Sequence, residues 1–599
     1  EVQVSIALLS LPALMASESS SPLDFLIEEL ASDNPQQCVQ CVSRLRVIAL
    51  ALGHEKTRSD LLPYLTGEIE QGKFTDEVQV SIAEVLGSFT DFVGGPSEAH
   101  CLFPPLVALC SVEESTVRDQ AVSSINQIGK QLSKAQLQTH LVPTVLKLAR
   151  QTDWFTPRVS ACGLFAVAYR AAEGKELCDT FCKGLGIDDS PMVRRAAAAR
   201  LAEFAAVLQE NLVEDDLLPL HRTLLADEQE SVRVNALKGT ATICGRVSTQ
   251  LKLGLLKDNF QKCVRDKSWR VRVACAEAIA DIAKSCGGQS ETQEVLQELY
   301  VALQNDHEQE VRVAAALRGA GAAEALGPTF AKEAVFPVVS KLAQDPNSAS
   351  RVELATVLVR LAAPIEKAAA IEMLLPVMSL LTEDENTNVR LAVINQFGSF
   401  IRVVGLQDEP QREQLLPLIT RLAADKNWRV RHAIVLLLPT LAQELGELNF
   451  TKAFGTSFET HATDHYALIR EDFVKCMASV GATLGKEWLE NAMLRVLTSR
   501  AKDKNYQLRS VLLLGVEHLH AAISSNALET QLVPAAVEMA SDPVPNLRIQ
   551  ALRSLAAASP SISAEQKRDL VLPQLQDRMT DSDMDVKFFA NEALKTLES

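Results

Sequence analysis

The sequence predicts an all-α protein, an α-solenoid of 15 tandem helical repeats. Three observations predict it: an arginine that returns about every 39 residues, an aspartate that travels with it, and apolar residues at helical spacing after each pair. The arginines are Arg118, Arg158, Arg194, Arg233, Arg272, Arg312, Arg351, Arg390, Arg431, Arg470, Arg509 and Arg548. Lys587 holds the register at the end, and Gln79 and Gln40 hold it at the beginning. A period of this length marks a supersecondary unit that cannot bury its apolar face alone and must stack on its neighbours.

The aspartates set the turn. Asp227, Asp266, Asp306, Asp345, Asp384, Asp425, Asp464, Asp503, Asp542 and Asp581 each lie six residues before their arginine or lysine, whereas Asp153 and Asp189 lie five before theirs. The intervening residues are turn formers, as in Asp345-Pro-Asn-Ser and Asp384-Glu-Asn-Thr. The aspartate is expected to close one helix and bridge the turn near the start of the next. The arginine then sits in the first turn of that next helix, within reach of the aspartate of its own or a neighbouring unit. Asp266 with Arg272, and Asp425 with Arg431, are two steps of the ladder this predicts along one edge of the stack.

The first helix of each unit centres on a Leu-Leu-Pro motif or a variant, at Pro63, Pro143, Pro219, Pro337, Pro376, Pro417, Pro534 and Pro573. Proline removes one helix hydrogen bond, so the helix is expected to start or kink there. Helix, short turn, helix is the HEAT-repeat pattern. It implies about 30 helices, no sheet and a right-handed superhelical array.

Composition bears on function. Hydrophobic residues make up 47% and aromatic residues 5%, which suits Leu/Ala/Val helix packing. A net charge of −17 argues against general nucleic-acid binding, which needs basic surface. No apolar run reaches the roughly 18 residues of a membrane span. The twelve cysteines are scattered through helical patterns and read as buried reduced thiols in a reducing compartment. The pairs Cys38/Cys41 and Cys178/Cys182 lack a second pair at zinc-like spacing.

Residues 1–7 (EVQVSIA) are identical to residues 77–83, and residues 4–15 are largely apolar without a preceding Lys or Arg. An N-terminal extension in repeat register or a flexible one, over 1–21, is expected in preference to a secretion signal. The repeat array itself is expected over 22–599.

Signals of catalysis are weak. The chain has no phosphate-binding loop, no dinucleotide fingerprint and no nucleophile elbow. His461 and His465 are four apart but straddle a turn without an intervening Glu, so a surface or capping role is expected. His54-Glu55 and His307-Glu308 lie too far apart to share a metal. No cofactor and no metal are expected.

Aromatic residues in the turns are informative. Trp154, Trp269 and Trp428 lie just before the ladder arginine, with Phe155 and Tyr506 at matching positions. Inter-helix turns are normally polar and exposed. A Trp beside Arg and Lys, as in 266–272 (DKSWRVR) and 425–431 (DKNWRVR), has the composition of an interface hot spot, although packing of each ring on the next turn remains open.

These strings, with 153–165 (DWFTPRVSACGLF), 188–198 (DDSPMVRRAAA), 48–66 (IALALGHEKTRSDLLPYLT), 93–105 (VGGPSEAHCLFPP), 112–119 (VEESTVRD) and 542–548 (DPVPNLR), resemble the scaffold, or A, subunits of protein phosphatase 2A. The resemblance runs from about residue 22 to the end. It implies a non-catalytic, horseshoe-shaped scaffold. Such a scaffold forms a heterodimer with the phosphatase catalytic subunit, then a heterotrimer with a variable, B-type regulatory subunit.

On this resemblance the catalytic subunit binds repeats 11–15, within about 410–599, through Lys426, Trp428, Arg429, Tyr506, Pro543 and Asn546. The regulatory subunit binds within about 22–330, through Glu113, Glu114, Trp154, Phe155, Pro191, Arg194, Arg195, Ser268, Trp269 and Arg270. Asn427 departs from the family's lysine, and the shifted Tyr466 puts its contact in doubt. A cytoplasmic location, with the nucleus left open, accompanies the reading. Nuclear transport receptors and vesicle-coat adaptors are the alternatives, and neither nucleic acid nor membrane insertion is expected.

Overall fold

The structure is a computed structural model that describes residues 22–598, except 33, 171–173, 289 and 363–366; the N-terminal segment 1–21 lies outside the described residues. Among the described residues every regular element is helical. The chain divides into two compact units, Glu1–Leu326 and Gly327–Ser599. Each is a HEAT-repeat solenoid in which the second helices of successive repeats pack side by side.

In the first unit Pro191–Val207, Glu230–Arg246, Trp269–Ser285 and Gln309–Leu326 form such a row. In the second the row is Ser348–Val357, Thr387–Val404, the helix beginning at Trp428, Ala467–Leu484, Tyr506–Leu519, Pro545–Ala558 and Met584–Glu598. The core between rows is aliphatic, with local aromatic clusters. Phe165, Phe181 and Phe204 are fully buried, with ring centroids 4.6–5.9 Å apart. In the second unit Phe450 and Phe458 close on Trp488, whose indole N–H donates to Thr451 Oγ1 at 2.8 Å.

At six of the eight prolines an α-helix starts one residue ahead of the proline, in line with the expected start or kink, and a wider turn leads into it. The segments Thr57–Leu61, Leu137–Leu141, Val213–Leu217, Ala331–Val335, Leu528–Leu532 and Lys567–Val571 are π-helical turns, and each ends just ahead of Pro63, Pro143, Pro219, Pro337, Pro534 or Pro573. Widening the turn moves the carbonyl that would meet the proline ring. Pro376 and Pro417 instead lie inside the α-helices Lys367–Thr382 and Glu409–Ala423.

Glycine makes two of the tightest connections. Gly446 (φ 67°, ψ 173°) breaks the run Trp428–Phe454 into the second helix of repeat 11 and the first of repeat 12. This backbone region is open to glycine and costly for residues with a Cβ. At Gly481 a Cβ would stand 2.5 Å from Leu489 Cδ2, so the glycine lets consecutive helices touch.

Candidate interaction sites on the inter-helix turns

The turn between the two helices of a repeat is held by a relay with a fixed division of labour. The aspartate Oδ1 accepts from the amide two residues on, as Asp306 does from Glu308 at 2.9 Å and Asp425 does from Asn427 at 2.7 Å. The arginine of the same repeat donates to the aspartate's backbone carbonyl: Arg272 Nη1 to Asp266 O at 2.7 Å, Arg431 Nη1 to Asp425 O at 2.8 Å. The carboxylate is thereby free for the arginine of the preceding repeat. Arg158–Asp188, Arg194–Asp227, Arg233–Asp266 and Arg272–Asp306 join neighbours in the first unit at 2.6–2.8 Å. Arg351–Asp384, Arg390–Asp425, Arg431–Asp464, Arg509–Asp542 and Arg548–Asp581 do so in the second at 2.6–3.0 Å. In repeat 2 the amide of Gln79 takes the arginine's place, donating to Phe74 O at 2.8 Å.

Asp188, not the expected Asp189, is the ladder residue of its repeat, because its Oδ1 caps the Ser190 amide at 2.8 Å and its carboxylate faces Arg158. In repeat 4, Arg158 bonds the carbonyls of Gln151 and Trp154, and Asp153 stays exposed. Burial alone would raise the carboxyls of Asp306, Asp384 and Asp464. The hydrogen bonds from Arg272, Arg351 and Arg431, with the turn amides, more than offset it and hold all three below the usual carboxylate range.

The turn aromatics stand on this ridge. Trp428 is half-buried and stacks on Tyr466 of the next repeat, with ring centroids 5.1 Å apart and planes at 18°. The Arg429 guanidinium lies 4.8 Å over the indole, and Lys426 is exposed beside it. Asn427 caps the following helix, its Oδ1 accepting from the Arg429 amide at 2.9 Å, a role that a lysine could not fill. Tyr466 is 47% exposed, so the stack presents a continuous apolar face rather than hiding one. Tyr506, Pro543 and Asn546 are also exposed on the turns of repeats 13 and 14. Tyr466 was the ring that sequence reasoning left in doubt. Its position lies one repeat, 38 residues, from Trp428, a spacing that brings the two rings together.

On the N-terminal repeats, Trp154 is the most exposed of the tryptophans at 67%, with Phe155 half-buried next to it. Trp269 is 38% exposed beneath Arg270, 4.9 Å away. Glu230 of the preceding repeat accepts from Ser268 Oγ at 2.6 Å and pairs with Arg270 at 3.4 Å. Pro191 begins its helix, and the two arginines after it separate: Arg194 is the ladder residue, while Arg195 is exposed. Glu114 caps the Thr116 amide at 3.1 Å, and Glu113 is exposed.

His461 and His465 differ, against the surface or capping role expected of both. His461 is fully buried against Phe473, ring centroids 5.6 Å apart, and only His465 is at the surface. Burial lowers the His461 imidazole to about 4, so it packs as a neutral ring. All twelve cysteines are free, with Cys101 and Cys476 half-exposed and the others buried. Among the described residues no group of three or more His, Cys, Asp or Glu side chains is arranged to hold a metal ion, and no helix is long and apolar enough to cross a membrane.

The repeats match known families. Residues 289–366 match the PPP2R1A-like HEAT repeat, and residues 256–286 and 415–445 match the HEAT repeat. The human A beta isoform of the serine/threonine-protein phosphatase 2A 65 kDa regulatory subunit is 37% identical over 388 residues, 63% of this chain and 63% of that protein. Over that stretch the chain is similar to a phosphatase 2A 65 kDa regulatory subunit. The serine/threonine-protein phosphatase PP2A 65 kDa regulatory subunit of Drosophila melanogaster is 46% identical over 195 residues, 32% of this chain and 32% of its own length. The Dictyostelium discoideum protein phosphatase 2A scaffold subunit is 41% identical over 207 residues, 34% and 35% of the two chains. The aligned stretches thus span less than two thirds of each relative. These relatives bear the names of regulatory and scaffold subunits of a phosphatase. Among solved structures, the Kap95:Nup1 complex aligns with a TM-score of 0.56 at 12% identity, covering 96% of this chain and 76% of that one. That likeness is one of fold.

Proposed function

We propose that this chain is a non-catalytic scaffold of the protein phosphatase 2A holoenzyme. It binds the catalytic subunit on the turns of repeats 11–15 and a variable regulatory subunit on the N-terminal repeats. Similarity to the phosphatase 2A scaffold subunits supports the class of function. The observation that carries the catalytic side is the Trp428–Tyr466 stack, which holds an indole half-exposed between Arg429 and Lys426 on an otherwise polar ridge. A rigid aromatic flanked by cations is the composition of a binding anchor, with little side-chain entropy left to lose on docking. On the regulatory side, Trp154, Trp269, Arg270 and Arg195 offer separated exposed contacts of the same kind. Two partners held on one chain meet at high effective concentration, which orients a substrate bound by one toward the active site of the other.

The test is co-elution. The purified chain, mixed with phosphatase 2A catalytic subunit, then with a B-type regulatory subunit, should run as a binary and then a ternary complex in gel filtration. Independent elution of all three at micromolar concentration would overturn the reading.

A further inference from the structure

A cleft in the first unit lies across the second helices of repeats 3 to 6. Arg118, Phe155, Met192, Arg195, Arg200 and Asn235 line it. Gly163 is part of its lining, and a Cβ there would stand 2.7 Å from Val122 Cγ1, so the glycine lets neighbouring helices approach closely at this point. Its charge is opposite to that of the chain: three guanidinium groups converge with one carboxylate, Asp119, in a protein of net charge −17.

The arginines differ in what they have left to offer. Arg118 is spent on the carbonyls of Val112 and Glu113. Arg200 is held by Glu203 at 2.7 Å, a pair whose side chains are 41% and 53% exposed, weak enough for another carboxylate to replace Glu203. Arg195 is exposed and makes no side-chain hydrogen bond or ion pair among the described residues, in contrast to Arg194 beside it. Met192, 43% exposed, and Phe155, half-buried, line the same cleft. A flexible thioether and an aromatic ring in one lining make an adaptable apolar seat.

We propose that this cleft binds an acidic linear segment of a protein partner, its carboxylates on Arg195 and Arg200 and one bulky apolar side chain between Met192 and Phe155. Guanidinium takes a carboxylate through two parallel hydrogen bonds, which gives the segment direction as well as affinity. The inference deepens the scaffold reading, since Phe155 and Arg195 belong to its regulatory side, and it gives that side a ligand chemistry.

The test uses the full chain alone and a fluorescein-labelled peptide of glutamates flanking a central pair of leucines. Fluorescence anisotropy should show saturable binding, absent for the same peptide with lysines and weaker for glutamates without leucines. Arg195→Glu should weaken binding at least tenfold and Met192→Ala about threefold, with unchanged circular dichroism, while Lys595→Gln has no effect. Equal binding of the lysine peptide, or an Arg195→Glu variant that binds like wild type, would overturn the proposal. A uridine oligonucleotide that binds with the same dependence on Arg195 would also overturn it, in favour of a phosphate site. Because no other subunit is present, the peptide result stands apart from the holoenzyme assay: failure to form a ternary complex with peptide binding intact would sink the scaffold reading and leave the cleft.

Discussion

Asp503 holds the ladder register that should serve Arg470, yet its carboxylate pairs with Arg500, Oδ2 lying 3.5 Å from Nη1. Arg500 also holds Glu459 of the preceding repeat. Arg470 is 4% exposed, bonds the carbonyls of Asp464 and His465, and leaves its buried Nε without a partner. Burial pulls this guanidinium below its ordinary value, against the Asp464 carboxylate and Tyr506, whereas partnered Arg272, Arg351 and Arg431 are raised, foremost by their aspartates.

The two kinds of step should therefore respond differently to loss of the arginine. Arg272→Met strands the Asp306 carboxylate, 7% exposed, and should cost about 3–5 kcal/mol. Arg470→Met loses bonds to two carbonyls but strands no carboxylate, and should cost roughly 1–2 kcal/mol. Urea unfolding, with hydrogen exchange on the flanking helices to localise the effect, checks the ordering. Equal costs would show that the carboxylate bond contributes little.

Acid should destabilise the protein in two stages. His221 and His461 are lowered by burial to about 4 from an ordinary 6.5, so below pH 6.5 the unfolded chain takes up protons that the folded one refuses. Stability should fall from pH 6.5 toward 4, at roughly 1.4 kcal/mol per pH unit for each histidine at full effect. Asp306, Asp384 and Asp464 are held low when folded. Their contribution is present above the unfolded carboxylate range and disappears as pH falls below about 4. Melting temperature against pH, in wild type and His461→Phe, separates the stages. The variant should lose part of the first and keep the second.

Pro191→Arg and Arg195→Glu should weaken regulatory-subunit binding while catalytic-subunit binding survives. Pro191 presets the first turn of its helix, and Arg195 is exposed beside Arg194, which serves the ladder. Pull-downs of both partners from the same variant check this. Joint loss of both partners with a collapsed helical spectrum would instead report a folding defect.

The period and the Asp–Arg pairing were legible because each repeat must solve the same problem at its turn. The direction of the pairing was not, since an arginine six residues on reaches both its own aspartate's carbonyl and the next repeat's carboxylate; the backbone bond settles which goes where. Asp188 and Asp189 were indistinguishable until one of them capped Ser190. Pro219 and Pro534 signalled a disturbed helix but not that a π-turn would absorb it. His461 follows Thr460 and precedes a turn, a polar context that hid its burial under Phe473. The exposure of Trp154 and Trp269 could be read from their turn positions, whereas the Trp428–Tyr466 stack depends on the rise between repeats.

The central claim rests on Trp428, and the affinity of Trp428→Ala for the isolated phosphatase 2A catalytic subunit tests it most directly. Loss of a stacked anchor should cost roughly 2–4 kcal/mol of binding, about 30- to 1000-fold in affinity. Release of the Tyr466 ring should cost only about 1 kcal/mol of stability, and regulatory-subunit binding should persist. Affinity within twofold of wild type, with a lowered melting temperature, would contradict the account and leave Trp428 as packing between two turns.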